Sequence, residues 1–461
     1  MMKRLLIANR GEIACRIIRA AKGLGIETVA VHSEADAGAL HVALADQAVC
    51  IGPAPATQSY LLHDAVLDAA RLSGADAVHP GYGFLAESAA FARAVHAAGL
   101  IWVGPAAATI EDMGDKQRAR ELALAAGVPV LPGSPRFEVG ALDGLEEAAR
   151  EVGYPLLVKA SGGGGGIGMR LVEDPAKLAK AVETTQSSAE RSFGDGSIYL
   201  ERFVGRARHV EVQVFGFGDG RAVHLFERDC SLQRRFQKVV EESPAPGLAP
   251  DLRREMAETA CALASAERYS GAGTVEFVVD ADTGEYFFLE MNTRIQVEHP
   301  VSEMVTGVDL VAAQLRLATG EDLHTELSGL AAQGHAIECR LYAENPAKRF
   351  LPSPGELIRF DLPTGLEGVR IDTGVRAGDA ITPYYDPMIA KVIAHGADRD
   401  EAIARLQAAL REIAIEGPAT NRRFLLAVLG DPRFATGEVW TGFIDANLER
   451  LLAATEAEGE Q

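Results

Sequence analysis

Short apolar runs separated by helical repeats open the chain. Leu5-Leu6-Ile7-Ala8 has no polar break. After Gly11, the residues Ile13, Ala14, Ile17, Ile18 and Ala21 recur at the spacing of one helix face. Thr28–Val31, Ala75–Val78 and Leu100–Val103 repeat the strand signal, each behind a helical pattern. Strands apolar on both faces that alternate with helices predict a doubly wound parallel sheet. The turns Asn9-Arg10-Gly11-Glu12 and His79-Pro80-Gly81-Tyr82-Gly83-Phe84-Leu85 then fall at the carboxyl ends of strands, where open α/β sheets place ligands. Tight turn chemistry alone is the other reading of these turns.

From Lys116 the rhythm changes. A helix over Arg118–Ala126 ends at Gly127-Val128-Pro129, and Gly153-Tyr154-Pro155 introduces the strand Leu156–Ala160. Gly162–Gly166 follow, then Ile167-Gly168-Met169-Arg170. Gly163, Gly165 and Gly168 match the spacing of a dinucleotide fingerprint, but Met169–Val172 is too short and too alternating to open the helix that fingerprint needs. No Lys-Ser/Thr follows the glycines, which excludes a P-loop. A glycine run between two strands predicts either a flap whose bare amides fold over phosphates or a plain flexible tip.

Ile198–Val204 reads as a strand, and His209–Phe215 alternates cleanly. Arg234, Arg235 and Lys238 then cluster in an otherwise acidic protein, which suits an anion better than a solvated face. A helix over Leu252–Tyr269 leads to a hairpin. Its arms are Thr274–Val279 and Tyr286–Leu289, and its turn is Asp280–Gly284. The second arm runs into Glu290-Met291-Asn292-Thr293-Arg294-Ile295-Gln296-Val297-Glu298-His299, more polarity than a buried strand should end in unless something charged is held there. If Ala281 faces Glu285, Glu276 lies across from Glu290, and like charges so placed repel. A hard divalent cation would reverse that sign, with Asn292 adding a neutral oxygen. The alternative is a solvated hairpin face carrying two unrelated glutamates.

After Gly334, short strands (Ala336–Leu341, Leu357–Phe360, Val369–Thr373) and an amphipathic helix over Arg399–Ile413 predict an α+β region, with a frayed tail from Leu451. The division that results is 1–115, 116–330 with a lid at about 131–203, 331–446, and a tail over 447–461.

The 461 residues, 48% apolar and 24% charged, suffice for several domains. A net charge of -20 argues against a nucleic-acid or anionic-membrane partner. No run approaches the roughly 18 apolar residues of a membrane helix. The start shows no signal-peptide pattern, and the five cysteines form no CxxC or zinc spacing, so reduced thiols in the cytoplasm are expected.

With these pieces placed, the chain resembles biotin carboxylase, an ATP-grasp enzyme, over about residues 3 to 446. The strings that carry the likeness are Ile7–Ala14, His79–Leu85, Lys159-Ala160-Ser161 with its glycines, Gln233-Arg234-Arg235, Glu290–Pro300, Tyr384–Lys391 and Thr420-Asn421. Asp372–Val375 is worded nearer the acyl-CoA carboxylase α-subunits. The resemblance implies a pre-ATP-grasp α/β domain, an ATP-grasp domain with a mobile glycine-rich lid, and a C-terminal α+β domain. It implies that ATP phosphorylates bicarbonate to carboxyphosphate, which carboxylates N1′ of biotin. This would be the first half-reaction of an acetyl-CoA or other acyl-CoA carboxylase.

It also implies roles. Lys116 and Lys159 would hold nucleotide phosphates, with amides from Gly165 and Gly166. Glu201 and the backbone near Val204 would read adenine, beside His209 and Gln233. Glu276, Glu290 and Asn292 would bind magnesium or manganese. Lys238, Arg294, Gln296 and the Val297 amide would cradle bicarbonate. Glu298 would act as general base, and Arg340 would stabilise the biotin oxyanion. Three positions depart from the family pattern. Ile167 stands where Lys or Arg is usual, Phe236 where His is usual, and Arg202 where Lys is common. No Met-Lys-Met biotinylation signature is present. Biotin would therefore arrive on a separate carrier protein or domain, a carboxyltransferase would complete the pathway, and a homodimer is expected. The competing readings are another ATP-grasp carboxylate–amine ligase and a nucleotide-binding regulatory subunit with impaired turnover.

Overall fold

The computed structural model describes residues 2–161 and 169–457. The chain divides into two compact units, Met1–Val128 with Arg208–Phe277 and Glu290–Gln461, and Pro129–Ala207 with Val278–Leu289.

The first unit opens on a five-stranded parallel sheet. Its spatial order is Gln47–Cys50, Glu27–His32, Arg4–Ile7, Ala77–His79, Ile101–Trp102. Leu5, Leu6 and Ile7 are completely buried, as strands covered on both faces require. The strand Gln47–Cys50 escapes the hydrophobic pattern, because this edge strand is mostly exposed and not apolar enough to stand out. The order reverses between Arg4–Ile7 and Ala77–His79, and the two turns flagged in the sequence meet there. The Asn9 side-chain amide donates to the carbonyls of Pro80 at 2.7 Å and Tyr82 at 2.6 Å, tying the two loops together.

The second sheet has eight strands in the order Tyr286–Asn292, Ser270–Asp280, Ala207–Phe217, Ala222–Arg234, Gln237–Ser243, His335–Tyr342, Met388–Gly396, Val369–Thr373. On one face of its last strands, Val240, Ile337, Cys339, Leu341, Val392 and Ala394 join a core with the helices Arg399–Glu412 and Arg422–Leu429. The opposite face lies under the helix His299–Thr306, where Val301 and Val305 pack on Ala336 and Ile393. The strand His335–Tyr342 is therefore buried along its whole length. The hairpin closes through an Asp280 amide donating to Glu285, one residue earlier than the Ala281–Glu285 pairing expected. Its second strand continues through the polar residues to Asn292. The tail read as frayed from Leu451 is helical from Phe443 to Ala457, because Leu451 is buried and Leu448 and Leu452 pack on the same core.

In the second unit, Leu156–Ala160 is the centre of a three-stranded antiparallel sheet with Met169–Val172 and Ile198–Arg202. The two strands flanking the glycine run are thus paired neighbours, as that reading required. Helices Leu145–Val152 and Leu178–Phe193 cover the sheet, with Val158, Leu200, Ala149 and Val182 in the core between them. Among the described residues, no helix is long and apolar enough to cross a membrane.

Candidate active site

In the first unit the polar strip folds into a connected ionic network. Lys238 donates through Nζ to Glu211 Oε2 at 2.7 Å, Glu276 Oε1 at 2.9 Å and Glu298 Oε1 at 2.7 Å. All three carboxylates are buried. The other Glu298 oxygen accepts from Arg340 Nη2 at 3.1 Å, and Arg340 Nε donates to Glu241 at 2.6 Å. Glu298 sits at the N-terminal boundary of the helix His299–Thr306, which fixes its backbone next to the sheet.

Behind this row lies Arg228, completely buried. It faces Glu211 across the antiparallel pair and donates to it at 2.7 Å. The same guanidinium reaches Gln213, Thr274, Gln296 and Ser302. Gln296 Nε2 and Asn292 Nδ2 converge on Glu276 Oε1 at 2.7 and 2.8 Å, and His209 Nε2 lies 2.9 Å from Glu276 Oε2. Arg294 donates to Asn292 Oδ1 at 2.8 Å and lies 3.3 Å from Glu87. The Val297 carbonyl accepts from Lys391 Nζ at 2.8 Å.

The charges follow from these distances. Burial would raise Glu276 and Glu298, but Lys238 together with His209 at Glu276, and Lys238 together with Arg340 and Arg228 at Glu298, outweighs it, and both carboxyls are held below their ordinary range. Burial would likewise neutralise Lys238, and Glu211, Glu276 and Glu298 instead raise it well above the usual lysine value. His209 is pushed up to about 9, since Glu276 and Glu211 together override the burial that would lower it. Glu290 moves the other way. Desolvation first and repulsion from Glu276 second push it up, so the two glutamates sense each other despite the shifted hairpin pairing.

Next to Arg340 the first unit holds a cavity of about 450 Å³, lined by Glu12, Tyr82, Val297, Arg340, Tyr384 and Asp386 among others. The backbone at Arg340 is pinned from far along the chain. The Asn421 side chain donates to the Arg340 carbonyl at 3.0 Å and accepts from the Tyr342 amide at 2.8 Å. It does so where the pairing with Met388–Gly396 shifts between Leu341 and Tyr342.

The structure thus brings Lys238, Glu276, Asn292, Arg294, Gln296, Glu298, Arg340 and His209 into one network, with the Val297 backbone at its edge. Gln233 turns instead to its own backbone, donating to the Cys230 carbonyl at 3.0 Å. Lys116 stands exposed at the start of the helix Lys116–Ala125. Phe236 is 73% exposed at a hairpin tip. Glu211, Gln213, Arg228, Glu241 and Lys391 were not picked out by sequence. For Glu211 and Gln213 the available signal was a polar residue at every second position of a strand whose other positions are apolar, which reads equally well as a solvated face.

In the second unit, Lys159 Nζ donates to Glu201 Oε1 at 2.6 Å from the neighbouring strand. Although burial lowers it, Glu201 and Tyr199 raise the Lys159 pKa overall. Val204 packs with Leu131 and Phe287. Gly165, Gly166 and Ile167 lie outside the described residues.

Three sequence families cover most of the chain. They are "Biotin carboxylase, N-terminal domain" over residues 1–110, "Carbamoyl-phosphate synthase L chain, ATP binding domain" over 115–326, and "Biotin carboxylase C-terminal domain" over 338–446. The chain is 51% identical over 448 residues to Biotin carboxylase 1 of Bacillus subtilis (strain 168), covering 96% of this chain and 98% of that one. It is 48% identical over 450 residues to the mitochondrial methylcrotonoyl-CoA carboxylase subunit alpha of Dictyostelium discoideum, covering 98% of this chain and 64% of that longer protein. A solved structure of the Hydrogenobacter thermophilus 2-oxoglutarate carboxylase biotin carboxylase domain dimer, in complex with MgADP, ADP and bicarbonate, superposes with a TM-score of 0.89. That structure is 42% identical in sequence, with 98% of this chain and 99% of that one covered.

Proposed function

The chain belongs to the biotin carboxylase family, and from that premise we propose how its own residues serve the ATP-dependent carboxylation of biotin by bicarbonate. The observation that carries the reading is the placement of Glu298 between Lys238 and Arg340. An anion arriving beside Lys238 and Arg294 would compete for the charges that hold Glu298 ionised. As those cations turn to bicarbonate, Glu298 becomes the stronger base, within hydrogen-bond reach of the proton it takes. Gln296 and the Val297 amide orient the same anion. Arg340, at the edge of the cavity, is placed to stabilise the oxyanion on the biotin ureido group.

Lys116 and Lys159 are assigned to nucleotide phosphates, with amides of Gly165 and Gly166. Glu201, Val204, His209 and Gln233 are assigned to the rest of the nucleotide. Phosphate would have to draw Lys159 from Glu201, to which it is paired. The oxygen set of Glu276, Glu290 and Asn292 fits a hard divalent cation, because repulsion from Glu276 helps keep Glu290 above its ordinary range. Magnesium or manganese held by these three would neutralise charge on the phosphoryl group in transfer. Biotin would be presented by a carrier protein or carrier domain and its carboxyl group passed on by a carboxyltransferase, with the enzyme acting as a cytoplasmic homodimer.

Phosphate release from ATP, measured with and without bicarbonate and with and without free biotin, tests the proposal. Release that requires bicarbonate and rises with biotin is expected. No release under any of these conditions would remove the carboxylase reading.

A further inference from the structure

Two carboxylates behind Arg340 have no part in the steps above. Glu241 and Glu338 stand directly across from each other on the antiparallel strands Gln237–Ser243 and His335–Tyr342, and both are 0% exposed. Glu241 Oε1 is bound by Arg340, but Glu241 Oε2 and both Glu338 oxygens are buried without a hydrogen-bond partner. An ionised carboxylate in such a place carries a far larger desolvation cost than the neutral acid, and no hydrogen bond compensates it.

The surrounding charges are already engaged. On the same strand Arg340 is divided between Glu241 and Glu298. Lys391, across from Arg340 on Met388–Gly396, is held by the Val297 carbonyl and lies 3.3 Å from Glu12. Lys238 serves three other carboxylates, and Arg228 serves Glu211. Asp372 and Arg370 on the edge strand bond each other. From the covering helix, Glu303 pairs with Arg16 and Arg370. His299, whose Nδ1 meets the Gln296 carbonyl, is kept neutral by burial and by Lys391. Burial pushes Glu338 well above the carboxylate range. Lys391 and Arg340 oppose that shift, while Glu241 and Glu298 add to it.

We propose that Glu338 is a positioning residue for Arg340. As a neutral acid it leaves the guanidinium bound forward to Glu298, and once ionised it competes for that guanidinium and draws it away. The proposal deepens the reading above and rests on it, because it presumes that Arg340 serves the biotin step. Ionisation of Glu338 then sets the alkaline limit of biotin-dependent turnover.

The test compares wild type with Glu338→Gln, in which the side chain cannot ionise. Infrared difference spectra of the two proteins at neutral pH should show a protonated-carboxyl stretch in wild type that the variant lacks. The pH profile of biotin-dependent phosphate release, scaled to each protein's own maximum, should extend upward in the variant. One pH unit above the wild-type midpoint it should retain about tenfold more of its activity, the loss per unit for a single ionisation. No spectral difference, or an alkaline limb at the same pH, would overturn the proposal. If the variant fails to fold, Glu338→Leu, which removes a side chain whose oxygens have no partner, replaces it in both measurements, because Glu241 and Glu344 are themselves pushed up to about 7 and only a difference band singles out Glu338. Bleaching over the pH range in which turnover falls supports the role, and bleaching elsewhere refutes it. A band present without any biotin-dependent turnover would refute the functional reading and the role together, leaving only the protonated glutamate.

Discussion

The two sheets of the first unit put similar alternations of chain to opposite uses. In the parallel sheet both faces are apolar, and the histidine buried at one strand end is kept neutral. His79, at a strand end, accepts from the Gly81 amide at 3.0 Å, and burial lowers its pKa to about 4. In the eight-stranded sheet one face is apolar, while the other holds an ionic network under a helix. There His209 is pushed up to about 9 by Glu276 and Glu211 against the effect of its burial. A sheet can therefore bury charge as completely as hydrocarbon, provided each ion has partners. Hydrophobic alternation gives the pleat, not the solvent.

The sharpest way to break this comparison is to remove the anion at the centre of the network. Glu298→Gln should lower bicarbonate-dependent ATP cleavage by about 10² to 10⁴-fold, the usual contribution of a general base, with nucleotide affinity retained. Phosphate-release assays and calorimetric nucleotide titration separate the two effects, and retained turnover would deny Glu298 the role of base. Next, Lys238→Ala strands three buried carboxylates and should cost about 3–5 kcal/mol in urea unfolding. A loss comparable to that of a surface pair would mean that the network contributes little.

The two histidines sharpen the contrast in pH. The folded pKa of His79 lies below the unfolded value, so its contribution is present above about pH 6.5 and is lost as pH falls toward about 4. His209 is raised, so its contribution is present below about pH 6.5 and is lost as pH rises through about 9. Histidine NMR should find the first neutral and the second charged at pH 7, and matching titrations would erase the distinction. The smallest effect belongs to the exposed pair Arg359–Asp361. Arg359→Ala should leave the urea midpoint nearly unchanged in the same measurement.

The parallel sheet was largely legible in sequence because uninterrupted apolar runs such as Leu5-Leu6-Ile7 leave little alternative. The row Asn292, Arg294, Gln296, Glu298 was legible because so many polar groups crowd the end of one strand, and Glu276 because it interrupts the apolar arm of the hairpin beside it. Its partners were not. Glu211 and Gln213 alternate with Val210, Val212 and Val214, and only the tertiary layer over that face and the partner Arg228 on the neighbouring strand distinguish buried ions from wetted ones. Glu338 was hidden likewise, in a strand buried along its whole length, while Arg340 in the same strand was reached through the family resemblance and not through the pattern of the strand. The hairpin pairing was displaced by one residue because Asp280 accepts in turn from Gly284, closing the turn a step early. The C-terminal helix was missed because alanine and glutamate suit both a frayed end and a stable helix, and Leu451 decides through packing.

Asn421 has a consequence for how the catalytic face tolerates change. Its carboxamide offers the strand beside Arg340 one donor and one acceptor, as a peptide unit would. A guanidinium that must meet Glu298 is thereby gauged by a loop about eighty residues downstream. Drift in that distant loop would be felt first as misaim of Arg340, long before the fold itself gave way.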